Sequence, residues 1–258
     1  MRHTIALAQN HFRDRRVIEQ LVARSSIRSG DLVYEVGPGL GTITRALAQH
    51  EARVVAVEKD PNLARRLASQ LASYANVTVH VSDFLTFPLP LWDYKLFANP
   101  PFNITAALLR RLFIEAECKP AAAYLVMEAA AAHRVIGLPK QTLFGLAIQP
   151  WFDATIFHRF DRRDFVPTPN VEIVMLRLSK RGPPLIPEQC AEAFAALVRQ
   201  AFTGRSHDVR STLRPLFGHE RLRRVANDIG LDLRLPASQV TLGQWIALFG
   251  SLPTAQLS

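Results

Sequence analysis

Four short groups of residues carry the types and spacings from which chemistry could be built. The first is Val33-Tyr34-Glu35-Val36-Gly37-Pro38-Gly39-Leu40-Gly41, a strand-like run entering a glycine turn just ahead of a helical stretch near Thr42. Glycine is needed where the backbone turns to positive φ or lets a ligand come close. The spacing is Gly-x-Gly-x-Gly, distinct from the Gly-x-Gly-x-x-Gly that seats a dinucleotide pyrophosphate. Glu58 closes the next strand-like run, where a carboxylate can accept from both hydroxyls of a ribose. Together the two predict an adenosine-type cofactor. Ser82-Asp83-Phe84 ends a third run: a carboxylate for an adenine amino group beside a flat apolar ring, or simply a turn cap.

The fourth group, Asn99-Pro100-Pro101-Phe102, selects the reaction. An exocyclic amino nitrogen on adenine is a poor nucleophile because its lone pair is delocalised into the ring. The Asn99 side-chain carbonyl and the Pro100 backbone carbonyl can hold its two hydrogens and localise that lone pair. Phe102 can stack on a base taken out of its helix, a contact worth roughly 1–3 kcal/mol. No His or Asp base is required, since the alkylated nitrogen sheds its proton to water. Asn-Pro-Pro alone also makes an ordinary turn; its place at a strand end among the other groups is what favours chemistry.

The elements that must position these groups follow a simple alternation. Apolar, β-branched or aromatic runs stand at 32–36, 53–57, 77–81, 94–98, 123–127, 155–160 and 171–178, with stretches of helical period between the first five. Asp60-Pro61 and Asp14 are helix starts. The alternation predicts an α/β doubly wound, mostly parallel sheet with ligands at the carboxyl ends of its strands. After Leu178, the polar break Ser179-Lys180-Arg181-Gly182-Pro183-Pro184 leads to helical stretches at 188–202, 209–217, 220–229 and 242–249. The expected division is therefore 1–180 for the α/β domain and 181–258 for a small all-helical one.

Charge says what such a chain meets. Thirty-one Lys and Arg against 22 Asp and Glu leave a formal charge of +9 over 258 residues, which favours a polyanionic partner. Arg205, Arg210, Arg214, Arg221, Arg223 and Arg224 crowd one stretch, as a phosphate-contacting surface or a solvated helix face. Two cysteines, Cys118 and Cys190, make neither a disulfide framework nor a metal site, and the histidines are scattered; a reducing cytosol and no metal are expected. No signal peptide or membrane-spanning segment is read. A monomer without protein partners is the default.

In their order and spacing, these groups, with Gln9-Asn10-His11-Phe12, Val57-Glu58-Lys59-Asp60 and Phe165-Val166-Pro167-Thr168-Pro169-Asn170-Val171, resemble the rRNA adenine methyltransferase family. The resemblance spans nearly the whole chain. Within the family it looks most like the erythromycin-resistance (Erm-type) enzymes, on the stretch Asp83–Thr105 and the short N-terminal lead-in. Pro100 stands where relatives often have Ile or Leu, and Phe102 where many have Tyr.

The resemblance implies a Rossmann-like class I methyltransferase domain using S-adenosylmethionine, with a helical RNA-binding domain behind it. It places Asn10 and Phe12 at the cofactor's methionine end, Gly37 at its backbone, Glu58 on the ribose, Asp83 on the adenine, and Asn99 facing both cofactor and target. Phe102 and Phe165 would bracket the flipped adenine. The implied substrate is naked or early-precursor 23S rRNA and the implied outcome is macrolide, lincosamide and streptogramin B resistance. A small-subunit (16S) rRNA dimethyltransferase and a non-catalytic RNA-binding factor of the same fold are the alternatives.

Overall fold

A computed structural model describes residues 11–204 and 208–252. In chain order its strands and α-helices are β1 (His11–Phe12), α1 (Arg15–Arg24), β2 (Leu32–Val36), α2 (Thr42–Gln49), β3 (Arg53–Glu58), α3 (Pro61–Gln70), β4 (Val77–Val81), β5 (Lys95–Ala98), α4 (Thr105–Arg110), β6 (Ala122–Glu128), α5 (Ala129–Ile136), α6 (Leu143–Leu146), β7 (Phe152–Arg159), β8 (Phe165–Val166), β9 (Ile173–Lys180), α7 (Ala191–Thr203), α8 (Val209–Phe217), α9 (His219–Asp228) and α10 (Leu242–Gly250).

Seven strands form one sheet in the order β4-β3-β2-β5-β6-β9-β7. β2 pairs parallel with β3 and β5, β3 with β4, and β5 with β6, while β9 runs antiparallel to β6. Parallel strands covered on both faces read as continuous apolar runs, which is why β2 and β6 are apolar almost throughout. The chain lays β2, β3 and β4 outward and then returns to place β5 on the other side of β2. The strand order reverses there, and a crevice opens outside the carboxyl ends of β2 and β5.

The helix starts predicted from Asp and Pro are present. Asp14 accepts from Arg16 N at the head of α1, and Asp60 accepts from Asn62 N and Leu63 N at the head of α3, with Pro61 in its first turn. Ile18, Leu21 and Val22 of α1 and Ile43 and Leu47 of α2 share a core with Val33, Val54, Phe97, Tyr124 and Met175 from the sheet. This core holds the strand ends, and with them the loops, in place.

A second, two-stranded pairing had no local signal in the sequence. β1 and β8 run antiparallel, with His11 opposite Val166 and Phe12 opposite Phe165. Arg13 N continues the ribbon with a 2.7 Å hydrogen bond to Asp164 O. The N-terminal motif and the Phe165-Val166-Pro167 motif, far apart in the chain, are thus joined.

The chain divides into two compact units, Met1–Ala132 with Thr155–Ser179, and His133–Ala154 with Lys180–Ser258. The sequence shows a break only after residue 180; residues 133–154, from within α5 to the start of β7, group with the C-terminal residues without any shift in composition. In the second unit, Phe194 makes edge contacts with Trp151 at 6.2 Å and Phe249 at 5.6 Å. Trp245 is fully buried on α10, whose start is capped reciprocally by Thr241 and Gln244. Among the described residues no helix is long and apolar enough to cross a membrane, and no group of three or more His, Cys, Asp or Glu could hold a metal ion.

Candidate active site

β2 leads into Gly37, Gly39 and Gly41, whose φ values are +61°, +52° and +77°. The loop is pinned by Gly37 N to Val57 O at 3.0 Å and Gly41 N to Pro38 O at 2.8 Å. At Gly41 the left-handed φ disfavours any side chain, and a Cβ there would lie 2.3 Å from Leu67 Cδ1 of α3, which would have to move aside. The last turn of the loop therefore packs directly on the helix that follows β3.

Glu58 is buried at the end of β3. Its Oε2 accepts from Gly39 N at 3.1 Å and its Oε1 from Asp60 N at 3.0 Å. Each oxygen keeps a further acceptor site, as recognition of two neighbouring hydroxyls requires. Asp83, one strand further out, accepts from Lys59 Nζ at 2.8 Å and from Leu85 N at 2.9 Å. The Lys59 hydrogen bond and the Leu85 amide hold its carboxyl below the usual range. It is therefore both a turn cap and an ionised acceptor. Phe84, the expected flat face beside it, is buried and meets Tyr34 edge-on at 6.5 Å. That expectation is corrected: the ring is spent on the core, because it follows the strand end on the inward side.

Glu35, in the strand ahead of the glycine turn, has no role among the sequence expectations. It is 1% exposed, and its Oε2 has no hydrogen-bond partner. Burial pushes its carboxyl up to about 8, and the charge of Glu58 adds to the rise. The signal available was a carboxylate in an otherwise apolar strand, just before the glycine turn.

Phe12, Glu35, Gly37, Gly39 and Asn99, with His11, line one cleft at the crevice between β2 and β5. The structure thus brings together three expected site residues, Phe12, Gly37 and Asn99, and Glu58 joins them through Gly39. Asn10 lies outside the described residues. Pro100 is buried behind Asn99, and Phe102, half-buried against the core, opens the 3-10 turn Phe102–Ile104 that leads into α4.

Phe165 does not present a face. It is 0% exposed and packs against Phe12 at 5.0 Å and Phe160 at 5.2 Å. Phe165 supports Phe12 from within the core, so a base bracketed by Phe102 and Phe165, as the resemblance implies, would meet the Phe165 ring only once that cluster opens.

The donor set suits an adenosylated, cationic amino acid. Glu58 offers acceptors for ribose hydroxyls and Asp83 for an amino group, and Glu35, which lines the cleft, keeps a buried Oε2 without a hydrogen-bond partner.

Comparison with known proteins gives the same direction. A family model described as ribosomal RNA adenine dimethylase matches residues 2–253. The chain is 30% identical over 265 residues to the ribosomal RNA small subunit methyltransferase A of Acaryochloris marina, covering 97% of each. It is 32% identical to an rRNA methyltransferase of Streptomyces thermotolerans, across 95% of this chain and 81% of the relative. The crystal structure of the 23S rRNA methyltransferase ErmE matches with a TM-score of 0.86 at 28% identity, covering 94% of this chain and 99% of that one.

Proposed function

The chain belongs to the ribosomal RNA adenine dimethylase family and is an S-adenosylmethionine-dependent rRNA adenine methyltransferase, and we propose that its substrate is one adenine of naked or early-precursor 23S rRNA, methylated on N6 to give macrolide, lincosamide and streptogramin B resistance. The observation that carries the reading is the single cleft shared by the glycine loop and Asn99, in a chain whose likeness to a 23S enzyme extends over 94% of its length.

When bound, S-adenosylmethionine supplies a methyl group on a cationic sulfur. Glu58 takes the ribose, its orientation fixed by Gly39 N and Asp60 N. Asp83 takes the adenine amino group. Glu35, Gly37, Phe12 and Asn10 serve the amino-acid end, with Phe12 held by Phe160 and Phe165. At the target, the Asn99 side-chain carbonyl and the Pro100 backbone carbonyl accept the two amino hydrogens and free the nitrogen lone pair. Phe102 stacks on the extruded base. The rate comes from positioning and from fixed carbonyl dipoles, with no side chain acting as general base.

Expression in a susceptible bacterium tests this. The expected result is resistance to all three drug classes together, with a primer-extension stop at one 23S adenine; unchanged susceptibility and no stop contradict it. A second reading, a 16S rRNA dimethyltransferase acting on assembling small subunits in the cytoplasm, is favoured by the end-to-end likeness to a small-subunit enzyme.

A further inference from the structure

Two neighbouring arginines end the helix that leaves Asn99–Phe102, and they make different contacts. The helical run passes from the 3-10 turn Phe102–Ile104 through α4 into a π-helical turn, Arg111–Glu115, closed by Ala116 N to Arg111 O at 2.9 Å. Single π turns are rare in helices and frequent at functional sites. Arg110 is exposed and pairs with Glu115 at 3.4 Å. Arg111 instead reaches the segment Asp83–Phe87, which follows β4. A terminal nitrogen donates to Phe87 O, and the guanidinium lies over the Phe84 ring, 5.8 Å from its centroid. Its Nε is buried without a hydrogen-bond partner. Burying a guanidinium donor is costly, which sets Arg111 apart from a solvated surface charge.

The segment it holds is a single tight turn. Thr86 N and Phe87 N both donate to Asp83 O at 3.0 Å, and Leu85 N donates to Asp83 Oδ1 at 2.9 Å. The direction of the Asp83 carboxylate is therefore set by the backbone of this turn. Phe84 is fixed against Tyr34, and Phe87 packs on Tyr34 and His80 at 6.3 Å and 5.1 Å. The far end of the turn, Phe87 O, is held by Arg111. The base for that contact is rigid, because Leu108, Leu109, Leu112 and Phe113 of the same helical run are buried.

We propose that Arg111 is a positioning residue for the cofactor's adenine: through Phe87 O and the Phe84 ring it clamps the Asp83–Phe87 turn onto the helix leaving Asn99–Phe102, and so aims the Asp83 carboxylate. This rests on the assignment of Asp83 to the adenine amino group and deepens it. Selection of the cofactor's base then depends on an arginine that acts through Asp83 and not on the base itself.

The test is base discrimination. Adenine offers Asp83 an amino donor, whereas hypoxanthine presents a carbonyl whose lone pair meets the carboxylate. Calorimetry with S-adenosylhomocysteine and S-inosylhomocysteine reads the difference as a ratio of dissociation constants. Wild type should prefer the adenosyl compound by at least about tenfold, the scale of one hydrogen bond to a charged acceptor. Arg111→Met keeps an apolar stem and removes the donors, and the ratio should shrink by at least about threefold, the coupling expected within one contact network. Glu58→Ala should weaken both compounds alike and keep the ratio, so a general loss of affinity or stability does not imitate the effect. A wild-type ratio in Arg111→Met overturns the proposal. Should that variant fail to fold, Arg111→Lys decides, since an ammonium lacks the planar face that lies over Phe84. Its ratio should also fall, and an unchanged one overturns the proposal. Failure of the underlying reading would look different: wild type itself would bind the two compounds equally, which removes Asp83 from the adenine and the proposal with it.

Discussion

Gly39 donates its backbone N–H to Oε2 of Glu58 across 3.1 Å, so the glycine loop after β2 and the acid at the end of β3 form one unit. The loop's shape and the acid's orientation are set together, and a change at either is felt by both.

Glu58→Ala removes the ribose acceptor and releases Gly39 N. S-adenosylmethionine affinity should fall by roughly 1–3 kcal/mol, the worth of a hydrogen bond to a charged acceptor. Calorimetry checks this; an unchanged dissociation constant removes Glu58 from the cofactor site.

Glu35 links the cleft to pH. With its carboxyl raised to about 8, the folded protein binds a proton there that the unfolded chain releases above the ordinary carboxylate range. Its contribution to stability is complete below the unfolded value and is lost as pH rises through about 8. Glu35→Gln is neutral throughout, so without ligand its melting temperature should gain on wild type as pH goes from about 5 to about 9. A difference that stays constant with pH would show that Glu35 is not neutral in the folded protein.

Asn99→Ala deletes one of the two carbonyl acceptors offered to the target nitrogen. Turnover should fall by about 10²–10³-fold or more, on the scale of losing one preorganised electrostatic contact, while transcript binding changes little. Methylation near the wild-type rate would sink the proposed mechanism.

The two phenylalanines should separate. Phe165→Ala opens a hole in the Phe12–Phe160–Phe165 cluster and should cost about 3–5 kcal/mol of stability, read as a lowered melting temperature. Phe102→Ala should leave folding nearer to wild type and weaken productive binding of the transcript by roughly 1–3 kcal/mol, with Phe102→Tyr restoring it. A Phe165→Ala variant of wild-type stability that fails only in transcript binding would return Phe165 to the face of the target base.

Much of this architecture was legible because its signals are local. Asp60-Pro61 starts α3, Asp14 starts α1, and the apolar runs around Tyr34, Val55, Val79 and Tyr124 are strands, since caps, fixed proline φ and strand patterning act over a few residues. The chemistry-bearing residues were legible because parallel strands send their carboxyl ends to one edge. What was hidden is set by distant partners. Neither His11-Phe12 nor Phe165-Val166 is long enough to announce a strand, and they become one only by pairing. The burial of Phe84 and Phe165 depends on Tyr34 and Phe160, which sequence spacing does not bring together. Residues 133–154 join the second unit through contacts such as Trp151 with Phe194, not through any break in composition.

The measurement that tests the central claim most directly is transfer of labelled methyl from S-adenosylmethionine to naked 23S and 16S rRNA transcripts, with the site mapped by primer extension. The account predicts label at one adenine of the 23S transcript and none in the 16S transcript. No label in 23S rRNA, with label appearing when immature small subunits are supplied, would contradict it and assign the enzyme to small-subunit assembly.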